Sequence, residues 1–141
     1  MHATPTPQPV VLGPDAVIHL GTQLDISALA VPPGFWAHDP IDSRELAHGR
    51  ILSVFDYTTT WPYWERHPAG DELVCLLSGR VELLLDDGEQ RQAVTLGVGE
   101  AAIVSAGTWH RALVHAPSRL LFVTPTPQRT QQRPAITDDN C

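Results

Sequence analysis

Glu65, His67 and Glu72 place three side chains able to bind a metal within one short stretch, Y-W-E-R-H-P-A-G-D-E-L. Glu65 and His67 stand two apart, so on a strand they point to the same face. Pro68, Gly70 and Asp71 then read as a turn: proline fixes φ, glycine allows unusual backbone angles and aspartate bonds locally. The apolar run Leu73–Leu77 follows, so Glu72 is expected to open the next strand beside the other two. A fourth candidate, His110, lies far down the chain in G-T-W-H. Two imidazoles and two carboxylates form an N₂O₂ donor set suited to Fe(II), Mn(II), Zn(II) or Ni(II), and less to the soft Cu(I). With both glutamates ionised, a divalent ion would be formally neutralised, and its Lewis acidity lowered relative to a three-histidine site.

The elements that must bring His110 back to the other three are strands. From Arg50 onward, I-L-S-V-F-D-Y-T is strand-like by its branched and aromatic content. Leu73–Leu77 and Val81–Leu85 read as two runs joined by a tight Ser78-Gly79-Arg80 connection, and Asp86-Asp87-Gly88 as a hairpin turn. Gln92–Leu96, Ala101–Val104, Trp109–His115 and Arg119–Thr124 bring the total to about eight or nine short strands. No helical period appears after residue 50, so the pattern predicts an all-β sandwich or barrel. Earlier, Val10–Leu12 and Ala16–Leu20 are β-like, residues 24–30 fit a strand or one or two helical turns, and Pro32-Pro33-Gly34 ends that segment. The organisation expected is a flexible segment at 1–9, an N-terminal arm at 10–49, a barrel at 50–124 and a polar tail at 125–141. The motif Thr4–Gln8 recurs as Thr124–Gln128, which reads as polar linkers on either side of the domain.

Composition narrows the function classes. At 141 residues, with 43% hydrophobic and 18% charged residues, the chain fits one folded globular domain. Its net charge of −7 and the lack of a basic stripe argue against nucleic acid. All nine basic residues are arginine, so Schiff-base chemistry, a lysine-held pyridoxal cofactor and the P-loop lysine are excluded. No apolar run approaches the ~20 residues of a membrane helix, and no signal peptide is visible, so a cytoplasmic location without a membrane partner is expected. Cys75 and Cys141 do not make a disulfide framework. No Gly-x-Ser-x-Gly elbow or Gly-rich phosphate loop occurs.

Two spacings resemble the motifs of the cupin superfamily. Glu65-x-His67, four residues, Glu72, six residues, Gly79 follows the first motif, with glutamate in the first histidine position and Thr59 in place of the leading glycine. Gly99, five residues, Ser105-x-Gly107, two residues, His110 follows the second, with Ser105 for its proline and Val114 for its asparagine. The resemblance covers roughly residues 50–124 and implies a double-stranded β-helix (jelly-roll) barrel with a metal held inside. A lone Glu-x-His is usually a solvated face, and a histidine before proline is ordinary turn chemistry. The four residues at family spacing point instead to a metal, with Glu65, His67, Glu72 and His110 as ligands.

Around that centre, Trp61 and Tyr63 share strand parity with Glu65 and His67 and are expected to line the interior. Tyr63 is the one candidate general acid or base. Ala112 and Val114 share parity with His110 and are expected to add apolar lining. Trp64, Arg66, Trp109 and Arg111 fall on the opposite face, as packing or surface residues; His38, His48 and His115 lack ligand-like spacing. Phe35 and Trp36 would cap the barrel mouth or pack on a second subunit. The resemblance favours dioxygenase-type oxidation of a small oxygen-bearing molecule over isomerase or lyase chemistry. A non-catalytic sensing module is the alternative, and a metal-free structural barrel a third reading. It also implies a homodimer paired through residues 10–36.

Overall fold

The structure, a computed structural model, describes residues 8–36, 46–126 and 130–135; the expectations for residues 1–7, His38 and Cys141 lie outside them. The described residues form nine strands: β1 Ala16–Leu20, β2 Ile26–Ala30, β3 Arg50–Tyr57, β4 Tyr63–Arg66, β5 Glu72–Asp86, β6 Arg91–Leu96, β7 Ala101–Val104, β8 Trp109–Pro125 and β9 Gln131–Pro134. Every pairing is antiparallel, and no helix occurs among the described residues. The fold is the expected all-β jelly-roll barrel.

β8 is the hub. Its second half pairs with β3 from Arg50↔Pro125 to Tyr57↔Ser118, while its first half meets β4 at Glu65↔His110. β5 follows β8 along most of its length and also pairs with β6 and β7. Alternate residues of β5, among them Val74, Leu76, Val81 and Leu83, point inward with Trp61, Leu96, Val104, Ala112, Leu120 and Phe122 to form the main core. This alternation is what a half-buried strand imposes. The N-terminal hairpin β1–β2 adds to β3, and Val17, Phe35, Leu46 and Ile51 form a smaller core beneath it.

Four expectations are corrected. The runs Leu73–Leu77 and Val81–Leu85 are one strand, and so are Trp109–His115 and Arg119–Thr124. The Ser78-Gly79-Arg80 stretch is not a turn but an irregularity in the β5–β8 ladder, where the register shifts repeatedly. Ser118 holds it: its hydroxyl accepts from the Arg80 N–H at 3.0 Å and donates to the Ala116 carbonyl at 2.6 Å. A bulge bends a strand without ending it, and glycine-rich residues look the same in sequence for both. Val10–Leu12 forms no strand. Gln131–Pro134, expected within a polar tail, is β9 and pairs residue for residue with β4.

Gly79 is required at that bend. Its φ is +96°, and a Cβ would lie 2.2 Å from the Ser118 hydroxyl oxygen and 2.4 Å from the Pro117 carbonyl oxygen. Gly79→Ala should cost about 2–4 kcal/mol, combining left-handed strain with a backbone clash. Urea unfolding measures it; a loss below about 0.5 kcal/mol would show that the bend relaxes freely.

Candidate metal centre

β4 presents Glu65, the residue after it presents His67, and the Pro68–Asp71 turn reverses the chain so that Glu72 opens β5. His110 enters from β8, paired with Glu65 on one side and Leu85 on the other. The turn before it is fastened to the same place. Gly107, at φ +79°, donates its N–H to the His67 carbonyl at 3.1 Å, and the Ala106 N–H bonds to the Asp71 carboxylate at 2.8 Å. Thus G-T-W-H delivers its histidine from a loop tied to the opposite motif.

All four candidates meet. Their facing ligand atoms lie within 4.8 Å of one another. His110 Nε2 is 2.8 Å from Glu72 Oε1, while His67 Nε2 is 3.1 Å from Glu72 Oε2 and 3.3 Å from Glu65 Oε1. Glu72, His67 and His110 are buried, and Glu65 is nearly so. Yet His67 Nε2, His110 Nε2 and Glu72 Oε1 have no hydrogen bond of acceptable geometry, a costly state for buried polar atoms. The outward atoms, by contrast, are held. His67 Nδ1 is 2.8 Å from the Thr130 hydroxyl, and His110 Nδ1 lies 3.4 Å from the Thr108 carbonyl. Thr124 donates to Glu72 Oε2 at 2.6 Å, and Gln132 Nε2 donates to Glu65 Oε2 at 3.0 Å. Imidazoles fixed through Nδ1 with Nε2 turned inward, beside oriented carboxylates, are the donor arrangement a divalent ion needs. The residues fit the group.

Electrostatics point the same way. Burial alone lowers the proton affinity of His67, but the carboxylates of Glu65 and Glu72 outweigh it and raise the imidazole from 6.5 to about 9. Burial would raise Glu72, but His110 and His67 overcome it and hold the carboxyl at about 2. In the absence of an ion, a proton on His67 therefore occupies part of the role a cation would fill.

Beside these residues opens a cavity of about 180 Å³. Trp61 and Tyr63 line it as expected, stacked with centroids 5.5 Å apart. Trp36 reaches it too, its indole N–H bonded to the Pro14 carbonyl, whereas Phe35 is buried beneath the arm. Ala112 and Val114 belong to the main core and are not among the lining residues. Tyr63 is pushed up to about 12, first by burial and then by Glu65 and Glu72, so its phenol stays protonated at neutral pH.

The opposite face is a stack of cations on indoles. Arg133 lies over both Trp64 and Trp109, at 5.4 Å and 4.5 Å, Arg91 covers Trp64 and Arg66 covers Trp109. Arg133 also pairs with Asp86 at 3.3 Å. These contacts pin β9, whose Gln132 holds Glu65 and whose preceding residue, Thr130, holds His67. Neither polar residue carried a visible signal in a stretch of such composition. Ile51, Ser53, Phe55 and Tyr57 of β3, by contrast, share one parity, as do Phe122 and Thr124 of β8, and all line the cavity. Period-two counting from these strands would have found them.

Residues 56–124 match the cupin domain family. No curated protein sequence matches the chain. Among solved structures, it is similar to a cupin-2 domain containing protein from Shewanella frigidimarina NCIMB 400, at 18% identity over 54% of this chain and 70% of that one, with a TM-score of 0.47. It is also similar to hydroxypropylphosphonic acid epoxidase from S. wedmorenis, at 22% identity over 53% of this chain and 43% of the other, TM-score 0.46. A third is hydroquinone 1,2-dioxygenase from Sphingomonas sp. TTNP3, at 16% identity over 53% and 58%, TM-score 0.47. The similar region thus spans about half the length of either enzyme.

The metal-free protein should have a stability maximum set by this cluster. The raised His67 contributes stability that is complete below pH 6.5 and lost as pH rises through about 9. The depressed Glu72 contributes stability that is complete above pH 4.5 and lost as pH falls through about 2. Melting temperature against pH, recorded with chelator, should therefore peak between these limits, and His67→Asn should flatten the alkaline limb. An unchanged alkaline limb in that variant would contradict the assignment.

Proposed function

Residues 56–124 are a cupin domain, and from that premise we propose that Glu65, His67, Glu72 and His110 hold one divalent transition-metal ion that works on a small oxygen-bearing molecule in the adjoining cavity. The observation that carries this reading is the set of three buried donor atoms turned toward one point without hydrogen bonds. Fe(II), Mn(II), Zn(II) and Ni(II) all accept two imidazole nitrogens and two carboxylate oxygens. When bound, the ion supplies Lewis-acid polarisation of a carbonyl, carboxylate or hydroxyl oxygen.

The chain's own residues do the rest. Thr130 and Thr108 keep the two imidazoles turned inward, and Gln132 and Thr124 orient the two carboxylates. Tyr63, protonated and facing the cavity, is placed to donate a hydrogen bond or a proton to a ligand oxygen. The aromatic side chains Trp36, Phe55, Tyr57, Trp61, Tyr63 and Phe122 give the cavity mostly apolar walls. Dioxygenase-type oxidation is the reaction class favoured, ahead of isomerase or lyase chemistry. A sensing module without turnover is the second reading; it is supported by a cavity whose titratable lining, among the described residues, consists of the ligands themselves and two tyrosines. The β1–β2 arm is the proposed homodimer contact, since β2 ends the sheet and exposes Ile26.

Elemental analysis of protein purified without a metal-affinity column tests the ion. Close to one metal per chain is expected, falling at least tenfold in His67→Ala and His110→Ala; equal metal in all three removes the site. Oxygen uptake with diols, keto acids and catechols then separates the two readings. Consumption by the loaded wild type supports the oxygenase, and tight binding without uptake supports the sensor.

A further inference from the structure

We propose that the cavity beside the candidate ligands selects a single-ring aromatic molecule without an acidic group, and that ring-to-ring contact rather than charge pairing governs entry. The inference deepens the preceding reading and rests on it for the position of the ion. Six of the chain's nine aromatic residues line this one cavity: Trp36, Phe55, Tyr57, Trp61, Tyr63 and Phe122. In a chain that is only 6% aromatic, Trp61 and Phe122 of the main core, with Phe55, Tyr57 and Tyr63 packed against it, gather on the side that faces this cavity. The main core is otherwise built from Val, Leu and Ala.

The rings are set as a box. Trp36 stands edge-on to Phe55 at 4.8 Å, Tyr57 stands edge-on to Phe122 at 6.3 Å, and Tyr63 lies flat on Trp61. Such walls offer both faces and edges, which an entering ring complements and a saturated ring of equal size does not; each well-formed aromatic pair can be worth up to about tenfold in affinity. The size agrees. An apolar cavity of roughly 150 Å³ holds benzene, and this one, at about 180 Å³, leaves room for one or two small substituents.

Charge sets the second filter. The ionisable groups on the described lining are Glu65, Glu72, His67 and the two tyrosines, with no arginine among them. A benzoate-type ligand would bring a third carboxylate toward the two already present. An ion balanced by Glu65 and Glu72 has no further formal charge to neutralise it. Hydroxyl substituents meet donors and acceptors instead, since Ser53, Thr124, Tyr57 and Tyr63 also line the space.

The test is calorimetric titration of the metal-loaded protein with phenol, catechol, cyclohexanol and benzoate. Phenol or catechol should bind at least tenfold more tightly than either cyclohexanol or benzoate. Parity with either comparator, or no binding of the phenols, overturns the proposal. Phe55→Leu and Trp61→Leu, each checked for folding by circular dichroism and for metal content, should shrink the preference over cyclohexanol several-fold; a full preference in both folded variants also overturns it. The same titration on His67→Ala separates this inference from the metal assignment. A ring preference that persists there stands even if elemental analysis finds no ion, whereas loss of the preference in wild type leaves the ion untouched.

Discussion

Two carboxylates and two imidazoles share one largely buried space, with their facing ligand atoms within 4.8 Å of one another. Glu72 is buried with Glu65 nearby, so the pair repels unless positive charge comes between. A proton on His67 relieves part of this, as the opposed shifts of His67 and Glu72 record. Three donor atoms still face one another without hydrogen bonds. A folded chain tolerates such frustration where something else is meant to resolve it, and a divalent cation resolves all of it at once.

Most of the architecture can be understood as support for that cluster. β8 carries His110 and joins β3, β4 and β5 into one framework, so the second motif cannot drift from the first without breaking several ladders. The Gly79 irregularity bends β5 while keeping it continuous from Glu72 to its far end. β9 adds the last wall, and the arginines stacked on Trp64 and Trp109 couple the outer surface to the orientation of Glu65 and His67 within. The rim of aromatic rings then decides what can approach.

Much of the site was legible because its signals were local. Glu-x-His and the Glu72 after a Pro-Gly-Asp turn follow from strand parity and turn chemistry, and His110 from spacing shared with a known family. The Asp86-Asp87-Gly88 hairpin likewise needs only short-range rules, and it closes with the Gly88 N–H on the Asp86 carboxylate. What escaped notice depends on distant partners. Thr130 and Gln132 sit in a polar stretch with no apolar alternation, and become strand neighbours only because β4 has a free edge to receive them. Continuity through Ser78-Gly79-Arg80 depends on Ser118, about forty residues on. Ala112 and Val114 had the right parity for the cavity, but Trp61 and the core claimed that space.

Anomalous diffraction from crystals of the protein as purified, collected on either side of the absorption edge of the metal found by elemental analysis, tests the arrangement directly. The account predicts one strong peak about 2–2.5 Å from His67 Nε2, His110 Nε2 and an oxygen of Glu72, with Glu65 the remaining protein ligand. A peak elsewhere, or Nε2 atoms of His67 and His110 paired only with the carboxylates in a fully metal-supplemented crystal, would contradict it.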